Sequence, residues 1–173
     1  MASPPAVLEG LVAFTDIVGF TEFTAIQGDS AALELLDSQA RIVEATLPEG
    51  ARVVKELGDG LLLWFPEACP ALEAALGLQR QFEAFSRAAE VPLWVRMGMH
   101  WGRQVPRGPD LVGHDVNLAS RIADSAGPGE IVLSEATVTR IAGGVVGVEY
   151  EELGPVTMKG IPDPVWLYRA FRW

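Results

Sequence analysis

Apolar positions alternate between two rhythms along the chain. Residues 11–19 (Leu-Val-Ala-Phe-Thr-Asp-Ile-Val-Gly) are almost continuously apolar and predict a buried strand. Residues 21–46 shift to helical spacing, with Leu33, Leu36, Ile42 and Val43 as the candidate inner face, and Pro48, Glu49 and Gly50 stop the helix. Two strand-like runs, 52–57 and 61–65, flank Gly58-Asp59-Gly60, which is a hairpin signal. Pro66 ends the second run. Residues 68–89 then predict a long helix that turns Leu72, Ala75, Leu76, Leu78 and Phe82 inward. Residues 93–102 alternate as a strand, and 107–112 predict a short strand on a loop. A helix over 115–126 stops at Gly127-Pro128-Gly129. A strand over 130–133 follows, and Ser134 reads as the N-cap of a short helix to Ile141. Residues 145–171 hold the last strands, interrupted by Gly154, Gly160 and Pro162.

This order follows the split β-α-β-β-α-β plan, an α+β fold whose mostly antiparallel sheet carries helices on one face. There is no internal repeat, low-complexity tract or interdomain linker. The 173 residues are therefore expected to form one domain, with residues 1–10 as a flexible lead.

Charge and composition narrow the function classes. Thirteen basic and 23 acidic residues give a net charge of −10, which argues against nucleic acid or an anionic membrane as partner. One cysteine, Cys69, excludes an internal disulfide, and His100 and His114 are too few for a histidine-rich metal site. The start lacks a basic segment ahead of an apolar run. The longest apolar stretch, 61–65, is far short of the roughly 20 residues that a membrane span needs. A soluble, cytoplasmic protein is expected.

Several residues stand out against this background. Asp16 interrupts an apolar strand, where an unpaired carboxylate costs several kcal/mol. It either ends the strand and caps the next helix, or it is paired or metal-bound. Asp59 lies in an ordinary Asp-Gly turn; if the hairpin lies beside the first strand, the two carboxylates converge into an oxygen site suited to Mg²⁺. Gly19-Phe20-Thr21 opens a helix, where free N–H groups attract phosphate, although a plain turn explains it equally. Asn117 and Arg121, four apart, share one helix face, either as anion donors or as solvated polar groups. Lys55 and Asp110 taken singly are unremarkable charges. No Ser-His-Asp arrangement is evident.

Together these pieces resemble the catalytic domain of class III nucleotide cyclases, the adenylyl and guanylyl cyclases. The matching segments are Phe14-Thr-Asp-Ile-Val-Gly-Phe-Thr21, Lys55-Glu-Leu-Gly-Asp-Gly60, Arg96-Met-Gly-Met-His-Trp-Gly102, Gly113-His-Asp-Val-Asn-Leu-Ala-Ser-Arg121 and Met158-Lys-Gly160. Each is weak alone; the ordered set is specific and spans nearly the whole chain.

The resemblance implies a ferredoxin-like core with extra C-terminal strands and a short helix, working as a head-to-tail homodimer with active sites at the interface. One chain would offer Asp16, Asp59 and the Ile17 carbonyl to two divalent cations (Mg²⁺ or Mn²⁺). N–H groups near Phe20 and Thr21 would hold the triphosphate. The other chain would bring Lys55 and Asp110 to the base, Asn117 to the ribose and Arg121 to the transition state. Lys159 stands near the place of a triphosphate-binding lysine, although this chain continues Gly160-Ile161-Pro162 where the family often has a second lysine. Guanine-selective members usually carry Glu and a small residue at the base-reading positions. Lys55 and Asp110 therefore imply ATP, converted to 3′,5′-cyclic AMP and pyrophosphate. Guanylate cyclase, or a catalytically silent nucleotide-binding or dimerisation module, is the alternative, and regulatory domains outside this chain are possible partners. Net charge does not oppose this reading, because the triphosphate would be met by bound divalent cations.

Overall fold

The computed structural model describes residues 1–173. In chain order the elements are β1 (Leu8–Ile17), α1 (Phe20–Gln27), α2 (Asp29–Thr46), β2 (Arg52–Leu57), β3 (Gly60–Phe65), α3 (Ala68–Ala89) and β4 (Val95–Arg107). There follow β5 (Asp110–Val112), α4 (His114–Asp124), β6 (Ile131–Ser134), α5 (Glu135–Ile141), β7 (Glu149–Val156) and β8 (Val165–Phe171). The sheet order is β2-β3-β1-β4-β6-β8-β7, with β5 paired to β4. Neighbours among the first four strands pair antiparallel, as the split plan requires, and only the β4–β6 pairing is parallel.

The period-2 pattern of the central strands divides the core into two layers. Leu11, Ala13 and Ile17 of β1 join Leu61, Leu63 and Phe65 of β3 in a 25-residue cluster with α2 and α3. Val12 and Leu62 point to the other face and meet Leu111, Val116 and Ala119. The expectation of helices on one face is thus corrected: α4 covers the opposite face. Small residues make this possible. A Cβ on Gly98 of β4 would lie 2.1 Å from the Ala123 nitrogen, so only glycine lets α4 approach this closely.

Three further boundaries differ from expectation. The helix expected over 21–46 is two helices that meet at Gly28, where φ is 90°. Within α2 the buried stripe runs through Ala32, Leu35, Gln39 and Val43; Leu33 lies off it and is 62% exposed, while Leu35, at 3%, takes the core position. The strand expected to end at Gly102 runs on to Arg107 and folds back through Gly108 as a hairpin with β5. β1 already runs from Leu8, inside the expected lead. The short helix behaves as its sequence suggests, with Ser134 Oγ accepting from the Thr137 N–H at its start. No helix is long and apolar enough to cross a membrane.

Candidate active site

Sheet register brings the two carboxylates together. Asp16 of β1 faces Gly60 of β3. A Cβ on Gly60 would sit 2.2 Å from the Thr15 carbonyl oxygen, so glycine is required for the hairpin to close on β1. Thr15 Oγ1 accepts from the Leu61 N–H at 3.1 Å and fixes that closure. Asp59, one residue earlier, therefore shares a cavity of about 400 Å³ with Asp16. Burial, and then the Asp16 charge beside it, raise the Asp59 carboxyl above its usual range. Two carboxylates side by side in a cavity fit a divalent cation, which would offset their like charge. Ile17 lines the same cavity while its side chain is buried in the core, so its backbone is what it can offer a cation.

The cavity continues to the start of α1, where Phe20 and Thr21 open the helix behind Gly19. No side chain caps this end, so first-turn N–H groups remain available to an anion. Glu22 in the same turn opposes an anion unless cations accompany it.

A cation absent from the candidate set also belongs here. Arg96 lies opposite Asp16 in the β1–β4 register and lines the cavity. Its Nε and Nη2 donate to Asp16 Oδ2 at 3.1 and 2.9 Å. The signal that could have found it is the one that found Asp16, a charge inside an otherwise apolar strand run.

Asn117 and Arg121 project together from α4, because Leu118 and Ile122 occupy its buried side. They line a second cavity of about 340 Å³ with Lys159 and Gly160. Lys159 gets there because its neighbour Met158 is buried against Leu118 and Ile122. Arg121 Nη1 donates to Asp124 Oδ2 at 3.4 Å.

Lys55 and Asp110, separate charges in sequence, are an ion pair at 2.9 Å between β2 and β5. The Lys55 hydrogen bond holds the Asp110 carboxyl below its usual range. Thus the nominated residues fall into three groups within one chain: the carboxylates with the α1 start, the Asn117–Arg121–Lys159 set, and the Lys55–Asp110 pair. The first two cavities share no lining residue.

One further contact set corrects the sequence reading. A Ser-His-Asp arrangement does exist: His100 Nδ1 lies 2.7 Å from Ser134 Oγ, and Nε2 lies 3.3 Å from Asp115 Oδ1. It is not a hydrolytic site. Ser134 is 2% exposed and His100 6%, and the Ser134 hydroxyl is engaged by Thr137 as a helix cap. The set ties the start of α4 to β4 and β6.

The α+β sheet thus carries a carboxylate pair beside an uncapped helix start and, on the face opposite α2 and α3, a helix that presents Asn117 and Arg121. Residues 9–169 match the model of the adenylate and guanylate cyclase catalytic domain, and the chain belongs to that family. It is 26% identical over 170 residues to the pH-sensitive adenylate cyclase MT1302 of Mycobacterium tuberculosis, covering 97% of this chain and 42% of that protein. It is 35% identical over 130 residues to an adenylate cyclase of Streptomyces griseus, covering 75% of this chain and 31% of that protein. The chain thus spans less than half the length of these relatives. In fold it is similar to the adenylyl cyclase CyaB from P. aeruginosa, with a TM-score of 0.87, 23% identity, and coverage of 99% and 97% of the two chains.

Proposed function

We propose that the chain is an adenylate cyclase domain that converts ATP to 3′,5′-cyclic AMP and pyrophosphate in the cytoplasm. The observation that carries this reading is the meeting of Asp16 and Asp59 beside the open start of α1. The separate Asn117–Arg121–Lys159 set supports a head-to-tail homodimer, in which the second cavity of one chain completes the first cavity of the other.

In this reading Asp16, Asp59 and the Ile17 carbonyl hold two divalent cations, Mg²⁺ or Mn²⁺. When bound, these supply Lewis acidity to the ribose 3′-oxygen and offset charge on the α-phosphate and the leaving pyrophosphate. The N–H groups of Phe20 and Thr21 bind phosphate oxygens. Lys159 and Arg96 add fixed positive charge. Asn117 orients the ribose, and Arg121 acts on charge that grows in the transition state. Asp110 accepts from the adenine amine while Lys55 donates to a ring nitrogen. Their 2.9 Å contact already holds the two groups at one place on the chain.

The test is purified protein with Mn²⁺ or Mg²⁺ and with ATP or GTP, read as cyclic product. Cyclic AMP as the main product supports the reading. Faster GTP turnover assigns a guanylate cyclase instead, and nucleotide binding with no product under any metal assigns a silent binding module.

A further inference from the structure

Four charged side chains form a line between the two cavities. Asp16 Oδ2 holds Arg96. Arg96 Nη1 donates to the Asp124 carbonyl at 3.4 Å, and its Nη2 lies 3.7 Å from Asp124 Oδ1. Asp124 Oδ2 in turn holds Arg121. Asp124 lines neither cavity and is exposed, so neither the substrate nor the core accounts for its place.

The link matters because the Arg96 guanidinium and a divalent cation compete for one carboxylate. Arg96 makes two donor contacts to the same oxygen of Asp16. A cation that binds this oxygen must weaken them, and the guanidinium must then find another anion. Only two carboxylates lie within ion-pair distance of Arg96, Asp16 and Asp124. Asp124 is therefore the group that can hold Arg96 when Asp16 gives it up.

We propose that Asp124 is a positioning residue that sets the metal affinity of the Asp16–Asp59 pair by offering Arg96 a second anchor. The same carboxylate holds Arg121, so it steadies a cation on each side of the line. This inference rests on the reading of Asp16 and Asp59 as metal ligands.

The test is Mn²⁺ binding to the full chain without nucleotide, followed by electron paramagnetic resonance of the free ion. The chains compared are unchanged, Asp124→Asn, Arg96→Gln and the double variant. Asn keeps the shape and one acceptor oxygen of Asp124 while removing its charge. Asp124→Asn is expected to weaken Mn²⁺ binding about two- to fivefold, the range of an exposed charge contact. Arg96→Gln is expected to strengthen it. In the Arg96→Gln background the Asp124→Asn loss shrinks to less than half on a logarithmic scale, because no guanidinium remains to be moved. An unchanged affinity in Asp124→Asn, or a loss that carries over undiminished into the double variant, overturns the proposal. Asp16→Asn separates the two readings. If it leaves Mn²⁺ binding intact, the metal assignment fails and this inference with it. If it abolishes binding while Asp124→Asn does nothing, only this inference fails.

Discussion

The two halves of the site on one chain are built in opposite ways. Asp16 sits in the central strand, hydrogen-bonded in register to both β3 and β4, and Asp59 follows from the hairpin that closes on it. The layer beneath is the 25-residue cluster. Asn117, Arg121 and Lys159 ride instead on α4 and the turn after β7, over a cluster of six residues that includes Met158. A cation site tolerates little displacement of its oxygens, so its ligands belong on the stiffest element. Arginine and lysine act through long, flexible side chains and can be carried by a helix and a turn. The halves also differ in internal tension. The first places two carboxylates against each other, and the second gives Arg121 its own acid in Asp124.

The strongest way to break this comparison is to disable each half separately. Asp16→Ala is expected to lower cyclic nucleotide turnover about 10³-fold or more by removing a proposed metal ligand. Arg121→Ala is expected to lower it about 10²- to 10³-fold, the usual loss when one donor to developing charge is removed. Mixed in equal amounts, the two inactive variants should recover about a quarter of full activity, because random mixed dimers each rebuild one of two sites. No recovery in preparations shown to contain mixed dimers would mean that both halves serve a site within one chain.

A smaller effect is expected at the pair that joins neither cavity. Asp110→Ala leaves Lys55 without its partner and removes the proposed acceptor for the adenine amine. The preference for ATP over GTP should fall by about tenfold or more, with the metal requirement unchanged. An unaltered preference would remove Asp110 from base recognition.

These contrasts also show what the sequence could reveal. Asp16, Asn117 and Arg121 were legible because each breaks or rides a strong pattern, an apolar strand or an amphipathic helix. The Lys55–Asp110 contact is not legible from composition, since 55 positions separate the two; the resemblance nominates the pair, and the β4–β5 hairpin, packing Leu111 against Val12 and Leu62, brings β5 to β2. Arg96 opens one of the segments that carry the resemblance, yet its partner is set by cross-strand register, which periodicity does not give. Leu33 is exposed because the buried stripe of α2 runs through Leu35, Gln39 and Val43, and a polar Gln39 on that stripe hides it from a count of apolar spacing. The side of the sheet that α4 covers depends on a close approach at Gly98, a fact about two distant segments. The Ser134–His100–Asp115 set was invisible for the same reason.

Asp59 gives a test of the tension within the carboxylate half. Its carboxyl is raised in the folded chain, so the folded state prefers it protonated. Its favourable contribution is present below the unfolded pKa and is lost as pH rises through the folded value, leaving a penalty at neutral pH. Asp59→Asn is therefore expected to raise the metal-free Tm at pH 7, on the order of 2–4 °C. Mn²⁺ should raise the Tm of the unchanged chain and do so less in the variant, because binding to the native state alone stabilises it. A lower metal-free Tm in the variant would show that Asp59 is not strained.

The smallest effect belongs to the other half and has the opposite pH sign. His100 lies under the start of α4, facing Asp115, with the His114 charge nearby and Ser134 on its other nitrogen. Burial lowers its pKa, against the pull of Asp115 and with a small push from His114. The folded chain thus takes up this proton at lower pH than the unfolded chain, whose histidine titrates near about 6.5. Stability from this group is present above that value and is lost as pH falls toward the folded pKa. Acid therefore loosens the α4 half while it relieves the carboxylate half. Thermal melts of metal-free protein from pH 7 to pH 5 check this against His100→Asn, which can still hydrogen-bond Ser134. The variant should lose on the order of 1–2 °C less than the unchanged chain over that range. Equal losses would place the acid sensitivity elsewhere and remove His100 as the group through which acid loosens α4.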